Sequence, residues 1–118
     1  MSASLLIAGA GGHAREIAAL IADMNSAAAA ASAAPWRLTA FVVDPGHADT
    51  SDLLGVPVRI GLCAVADYPD ALAVVAIRNP RVRLDVAARL LSEGGLPDVS
   101  RFATVVHPLA WVSARARV

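Results

Sequence analysis

The chain has 118 residues, one domain's worth, with ten Arg, no Lys and ten Asp plus Glu, so its net charge is zero. That balance leaves no basic stripe for nucleic acid and no polybasic membrane anchor. The single cysteine, Cys63, excludes a disulfide framework or a Cys-based zinc site and suits a reducing compartment.

At this size one core buries roughly two thirds of the unfolded surface, so no staple is needed. The hydrophobic content of 57% owes much to 27 alanines, and no apolar run approaches the ~18 residues of a membrane span. The opening Met-Ser-Ala-Ser-Leu-Leu lacks the positive start of a secretion signal. A soluble, cytoplasmic domain without membrane insertion is expected.

Leu5-Leu6-Ile7-Ala8 is a short apolar run ended by Gly9-Ala10-Gly11-Gly12, which reads as a strand buried on both faces. From His13 the period changes: Ile17, Leu20, Ile21 and Met24 lie at i, i+3, i+4 and i+7 of an amphipathic helix. Ser26 to Ala34 is nearly all alanine and serine and reads either as further helical turns or as a connection closed by Pro35. Leu38 to Val43 is a second strand, with Asp44-Pro45-Gly46 as its turn. His47 to Gly55 is polar and loop-like. Val56 to Ile60 forms a third strand, at an edge because of Pro57.

A short helix is expected around Leu62 to Tyr68, and Ala71 to Ile77 is a fourth, buried strand. Asn79-Pro80 then reads as an N-cap and first helical position. The helix that follows carries Leu84, Ala87, Ala88 and Leu91 on one stripe, with Val82, Val86 and Leu90 beside it. Gly94-Gly95 stops it, and Arg101 to Val106 is expected to be a fifth strand. This alternation predicts an α/β fold, a small parallel sheet with helices on both faces. Such a sheet binds ligands at the carboxyl ends of its strands, where Gly9 to His13, Asp44 and Ile77 to Asn79 fall.

The tail departs from this pattern. Val106, Val112 and Val118 are six residues apart, with Ala110 and Ala116 two before the later pair. Short aliphatics at that period fit a parallel β-helix, which needs at least three repeats for stability. The expected division is residues 1–106 as the α/β domain and 107–118 as a linker and first, incomplete hexapeptide turns.

Gly9-Ala10-Gly11-Gly12-His13-Ala14 matches G-x-G-x-x-A between a strand and a helix, the dinucleotide fingerprint. Glycines let backbone approach a phosphate, and a helix N-terminus offers unpaired N–H groups with a partial positive charge. The alternative is a tight turn with no ligand. Asp44 stands where such folds place a ribose-binding acid, or is simply a turn residue. His13 reads as a neutral ring bonding a ligand or as a structural hydrogen bond. Arg78 is expected to be solvated, or else to meet a phosphate. Glu16 is expected to be solvated or paired with Arg15, and Cys63 to be a small core or helix residue. His107, before Pro108, reads as a bend rather than a catalytic group.

Leu5 to Ile17 (Leu-Leu-Ile-Ala-Gly-Ala-Gly-Gly-His-Ala-Arg-Glu-Ile) resembles the opening of the sialic-acid O-acetyltransferase (NeuD-type) and PglD-type sugar acyltransferases. Four more segments are similar in order: Phe41-Val-Val-Asp44, Leu54-Gly-Val-Pro-Val58, Val75-Ala-Ile-Arg-Asn-Pro80 with Arg83, and Arg101-Phe-Ala-Thr-Val-Val-His-Pro108 leading to Val112-Ser113. The resemblance implies a Rossmann-like domain that holds a UDP-like nucleotide sugar in bacterial surface glycan synthesis. A left-handed β-helix of hexapeptide repeats then binds acetyl-CoA and forms a homotrimer. Gly9, Ala10, Gly11, Gly12, His13, Asp44, Ile77 and Arg78 are the implied substrate-binding residues.

The family's general-base histidine lies beyond Val118, so no catalytic or metal-binding residue is expected here, nor a cofactor for this chain. On its own the chain is expected to bind and not to catalyse. Two departures matter: Val43 stands where relatives often have a first acid, and Arg78 stands in place of a glycine. An NAD(P)-binding oxidoreductase fragment and a non-catalytic remnant are the competing readings.

Overall fold

A computed structural model describes residues 3–29, 36–45, 52–107 and 109–116. The late part of the Ala/Ser segment, Pro35, Gly46, most of the expected 47–55 loop, Pro108 and Val118 lie outside the described residues. The elements in chain order are β1 (Ala3–Ala8), α1 (Gly12–Ala29), β2 (Trp36–Val43), β3 (Asp52–Leu53), β4 (Val56–Ile60), a 3-10 helix (Leu62–Asp67), β5 (Leu72–Val75), α2 (Pro80–Ser92) and a short 3-10 turn (Val99–Arg101).

The strands form one sheet in the order β3-β4-β2-β1-β5. β1 pairs in parallel with both β2 and β5, and β2 pairs in parallel with β4. This is the expected small α/β fold with a Rossmann-like sheet. The apolar runs explain it, because a parallel strand covered on both faces has no solvent side to alternate with. Leu5, Leu6, Ile7 and Ala8 are all buried, as are Ala40, Phe41, Val42 and Val43.

Alternation within those strands sorts the core into two layers. On one face Ile7, Phe41 and Val43 pack against Ala14 and Ala18 of α1. On the other, Leu6, Ala8, Ala40 and Val42 pack against Val86 and Leu90 of α2 and against Leu62 and Val65. The helices therefore cover both faces, with stripes that match the expected ones only in part. In α1 the deepest positions are Ala14, Ala18 and Ile21, small residues that let the helix approach the sheet, while Leu20 is only half-buried. In α2 the buried line is Val86 and Leu90, and Leu84 is exposed.

Two strand expectations are corrected. β3 lies inside the segment expected to be a loop and pairs antiparallel with β4, Asp52 opposite Pro57. Its hairpin turn is Leu54-Gly55, with φ of 55° and 77°, the two successive positive values of a type I′ turn. Pro57 consequently has a two-residue strand outside it rather than lying at the open edge. The expected fifth strand at 101–106 is not regular. Only Phe102 bridges Ala73, and the Ala103 amide donates to the Ala73 carbonyl at 2.8 Å. Asp98 caps the turn before it through the Ser100 amide, and the Arg101 guanidinium donates to the Ala71 carbonyl, Nε at 3.0 Å. These bonds turn the chain before a ladder can extend.

The 3-10 helix is tied to β4 by Arg59, which donates to Asp67 at 2.6 Å and to the Tyr68 hydroxyl at 3.0 Å. The guanidinium also lies 5.6 Å from the Tyr68 ring centre. Cys63 is exposed on this helix, which corrects the core reading.

Candidate functional site

Chain order and sheet order disagree at one place. From β1 the chain moves outward through β2 to β4, then returns to β5 on the opposite side of β1. A crevice opens at the carboxyl ends of two strands whose connections leave in opposite directions. Here that crevice is a cleft of about 520 Å³, within the usual range for small-molecule sites.

All eight sequence-derived candidates line it: Gly9, Ala10, Gly11, Gly12, His13, Asp44, Ile77 and Arg78. Hydrophobic walls that sequence reading did not assign to it come from Val42, Leu62, Val82 and Val86.

The glycines of the turn do different work. Gly9 has a φ of 120°, and its amide donates to the Val42 carbonyl at 2.9 Å. A Cβ placed there would stand 2.9 Å from the Ala76 carbonyl oxygen. The fold itself thus requires glycine where β1 leaves the sheet beside β5. Gly11 and Gly12 would meet nothing within 4 Å of an added Cβ, and neither has a positive φ. Packing gives no reason for two further glycines.

The two helix heads at the cleft also differ. In α2 the Asn79 side chain accepts from the amides of Arg81 at 3.0 Å and Val82 at 3.3 Å, an N-cap that satisfies orphan donors. Ahead of α1 stands Gly11, which has no side chain with which to cap.

Charges ring the cleft as pairs. The Arg89 guanidinium of α2 donates to both oxygens of Asp44, at 2.8 and 2.7 Å. It also reaches Glu93 at 3.1 Å and Asp85 at 3.8 Å. The hydrogen bond to Asp44, then that to Glu93, raises the Arg89 pKa above its ordinary value. Between the first turns of α1 and the loop after β5, Glu16 bonds His13 Nδ1 at 3.3 Å with one oxygen and the Arg78 guanidinium with the other. The His13 hydrogen bond, aided by Arg78, holds the Glu16 carboxyl below its ordinary range.

Glu16 and Arg78 are both exposed, as expected, but Glu16 pairs with His13 and Arg78 and not with Arg15, which corrects the expected partner. The spacing of His13 and Glu16 carried a signal for the first contact, since residues three apart share a helix face. Nothing in sequence signalled that Arg89 would reach Asp44.

His107 lies away from the cleft. Its Nε2 is 3.3 Å from Asp23 of α1, and its Nδ1 accepts from the Leu109 amide at 3.1 Å. Among the described residues no group of three His, Cys, Asp or Glu side chains could hold a metal ion. No described helix is long and apolar enough to cross a membrane.

Compared with known families, residues 4–90 match the PglD N-terminal domain, well over half of the chain. The chain belongs to the PglD N-terminal domain family. That family forms the N-terminal part of sugar acetyltransferases. No curated protein is similar enough to this chain to count as a match. In this PglD N-terminal domain every residue that lines the cleft, from Gly9 to Val86, lies inside the matched stretch. The tail, with its six-residue period, lies outside it.

Proposed function

We propose that this domain holds the nucleotide-sugar substrate of a sugar acetyltransferase, its diphosphate against the Gly9–His13 turn. The observation that carries this is the pair Gly11 and Gly12. They are exposed, they head a helix, and they line the cleft with open space where side chains would stand. Bare backbone at a helix N-terminus suits a phosphate, because amides approach closely and the helix dipole favours negative charge. Asp44, oriented by Arg89, would face the nucleoside, and His13 and Arg78 the phosphates or sugar.

The acetyl transfer belongs, on this reading, to a hexapeptide β-helix outside the cleft, the part that would bind acetyl-CoA and form the homotrimer. There a histidine base would take the proton from the sugar amine or hydroxyl. The tail supports that arrangement. The Ala110 amide donates to the His107 carbonyl and the Ala116 amide to the Ser113 carbonyl, each at 3.0 Å and six residues apart. The side chains of His107 and Ser113 likewise each accept from the amide two residues on. Leu109 and Trp111 stand 89% and 87% exposed, apolar surface that a following coil would cover.

Calorimetric or ligand-detected NMR titration with UDP and a UDP-sugar tests the reading, with NAD(H) as comparator. Binding of the UDP ligands in preference to NAD(H), with line broadening centred on Gly11 to His13, is expected. Silence at millimolar concentration, or preference for NAD(H), overturns it.

A further inference from the structure

The two loops that border the switch-point crevice are joined across its mouth by side chains. Arg78 follows β5, whereas His13 and Glu16 belong to the first turns of α1. Arg78 and His13 both line the cleft; Glu16 does not, and grips both of them from outside the rim. The grip is made in solvent, with the Arg78 and Glu16 side chains 70% and 57% exposed. An exposed carboxylate–guanidinium pair is weak and exchanges partners readily.

The backbone beneath Arg78 is better fixed than its side chain. Asn79 caps α2, and the Arg83 guanidinium donates to the Ile77 carbonyl at 3.2 Å and the Arg78 carbonyl at 3.4 Å. Arg78 is therefore a long cationic arm on a fixed base, beside a cleft whose other rim consists of bare glycine backbone. A phosphate offers such an arm more negative charge than Glu16 does, together with oxygens that can take two guanidinium hydrogen bonds at once.

We propose that Arg78 is a specificity-determining residue of the cleft, held by Glu16 across the mouth and transferred to the phosphate of an incoming ligand. The inference rests on the phosphate-binding reading of the cleft and adds to it an internal competitor. Glu16 sets how strongly anions must bind to enter, and Arg78 makes the cleft discriminate a diphosphate from a neutral nucleoside.

Titration with inorganic pyrophosphate, with uridine as the uncharged control, tests this in four proteins: wild type, Glu16→Gln, Arg78→Ala and the double variant. All the changes are at exposed positions, and thermal melts verify folding. Glu16→Gln should tighten pyrophosphate binding about two- to fivefold, the range of a lost surface pair. Arg78→Ala should weaken it about three- to tenfold. In the Arg78→Ala background Glu16→Gln should leave the affinity unchanged, and uridine should be indifferent to all three changes.

Pyrophosphate binding visible only once Glu16 is removed would also support the exchange. Equal tightening by Glu16→Gln with and without Arg78 would reduce the effect to net charge and overturn the proposal, as would absence of pyrophosphate binding in every variant. Failure of the nucleotide-sugar reading looks different: pyrophosphate binds and responds to both substitutions while UDP-sugars bind no better than pyrophosphate.

Discussion

Arg89 of α2 holds Asp44, at the carboxyl end of β2, through two hydrogen bonds of 2.7 and 2.8 Å between residues 45 positions apart. The pair joins one wall of the cleft to the helix that covers the sheet, and its members are only 33% and 25% exposed. Bidentate geometry of this kind fixes orientation as well as contributing energy. Replacing Arg89 by Met keeps much of the aliphatic stem and removes the fork. The expected result is a melting temperature lower by about 3 °C and weaker binding of uridine-containing ligands, with pyrophosphate affinity unchanged. A variant that melts like wild type and binds UDP equally well would show that Asp44 needs no such support.

The glycine turn separates what the fold needs from what a ligand needs. Gly9→Ala sets a side chain at a φ of 120°, with its Cβ 2.9 Å from the Ala76 carbonyl oxygen. Strain and clash together should destabilise the domain by about 2–3 kcal/mol in chemical denaturation. Gly11→Ala and Gly12→Ala meet open space and should leave stability unchanged or raise it by up to about 1 kcal/mol. Their cost should instead appear in titrations, as weaker UDP binding. Loss of stability at Gly11 or Gly12 comparable to that at Gly9 would make the whole triplet a structural turn.

How much of this was legible in sequence depends on the range of each interaction. Leu5 to Ala8 and Phe41 to Val43 announce buried parallel strands because every side chain is apolar, and Asn79-Pro80 announces a helix start because the cap is local. β3 was hidden for two reasons. Two residues make no period, and the type I′ turn is built by Leu54-Gly55 where Asn-Gly or Asp-Gly is the usual signal. Arg101 to Val106 has the composition of a strand, yet the Asp98 cap and the Arg101 bonds to Ala71 turn the chain after a single bridge. In the site, the glycines and His13 were visible as a contiguous motif. Arg89 was not, since Asp85, Arg89 and Glu93 at four-residue spacing look like ordinary surface pairs along one helix.

Leu90 anchors α2 to the sheet. It is fully buried among Leu6, Val42, Leu62, Val65 and Leu96, and its backbone packs against Gly94, where an added Cβ would fall 2.7 Å from the Leu90 carbonyl oxygen. Leu90→Ala removes packing from the layer on which the cleft wall of Val42, Leu62 and Val86 rests. A loss of about 2–5 kcal/mol is expected in denaturant unfolding. Leu84→Ala on the exposed side of the same helix should change stability by less than about 0.5 kcal/mol. Similar losses at the two positions would mean that α2 packs through the stripe of Leu84 and Leu91 instead.

Acid should weaken the domain partly through Glu16. Its carboxyl lies below the ordinary value of 4.5, first through the His13 hydrogen bond and then through Arg78. A carboxyl whose native pKa is depressed binds fewer protons folded than unfolded, so its contribution is complete above pH 4.5 and is lost as the pH falls through the lowered native value. Asp98, held below its ordinary 3.8 by its bonds to Ser100, adds a second loss further into acid. Both groups are exposed, so each effect is small and salt-sensitive. Glu16→Gln should therefore melt slightly below wild type at neutral pH, and the two curves should converge as the pH drops below 4.5. High salt should shrink the gap at neutral pH. A difference in melting temperature that stays constant down the whole acid limb would assign it to side-chain packing rather than to the ionised carboxylate.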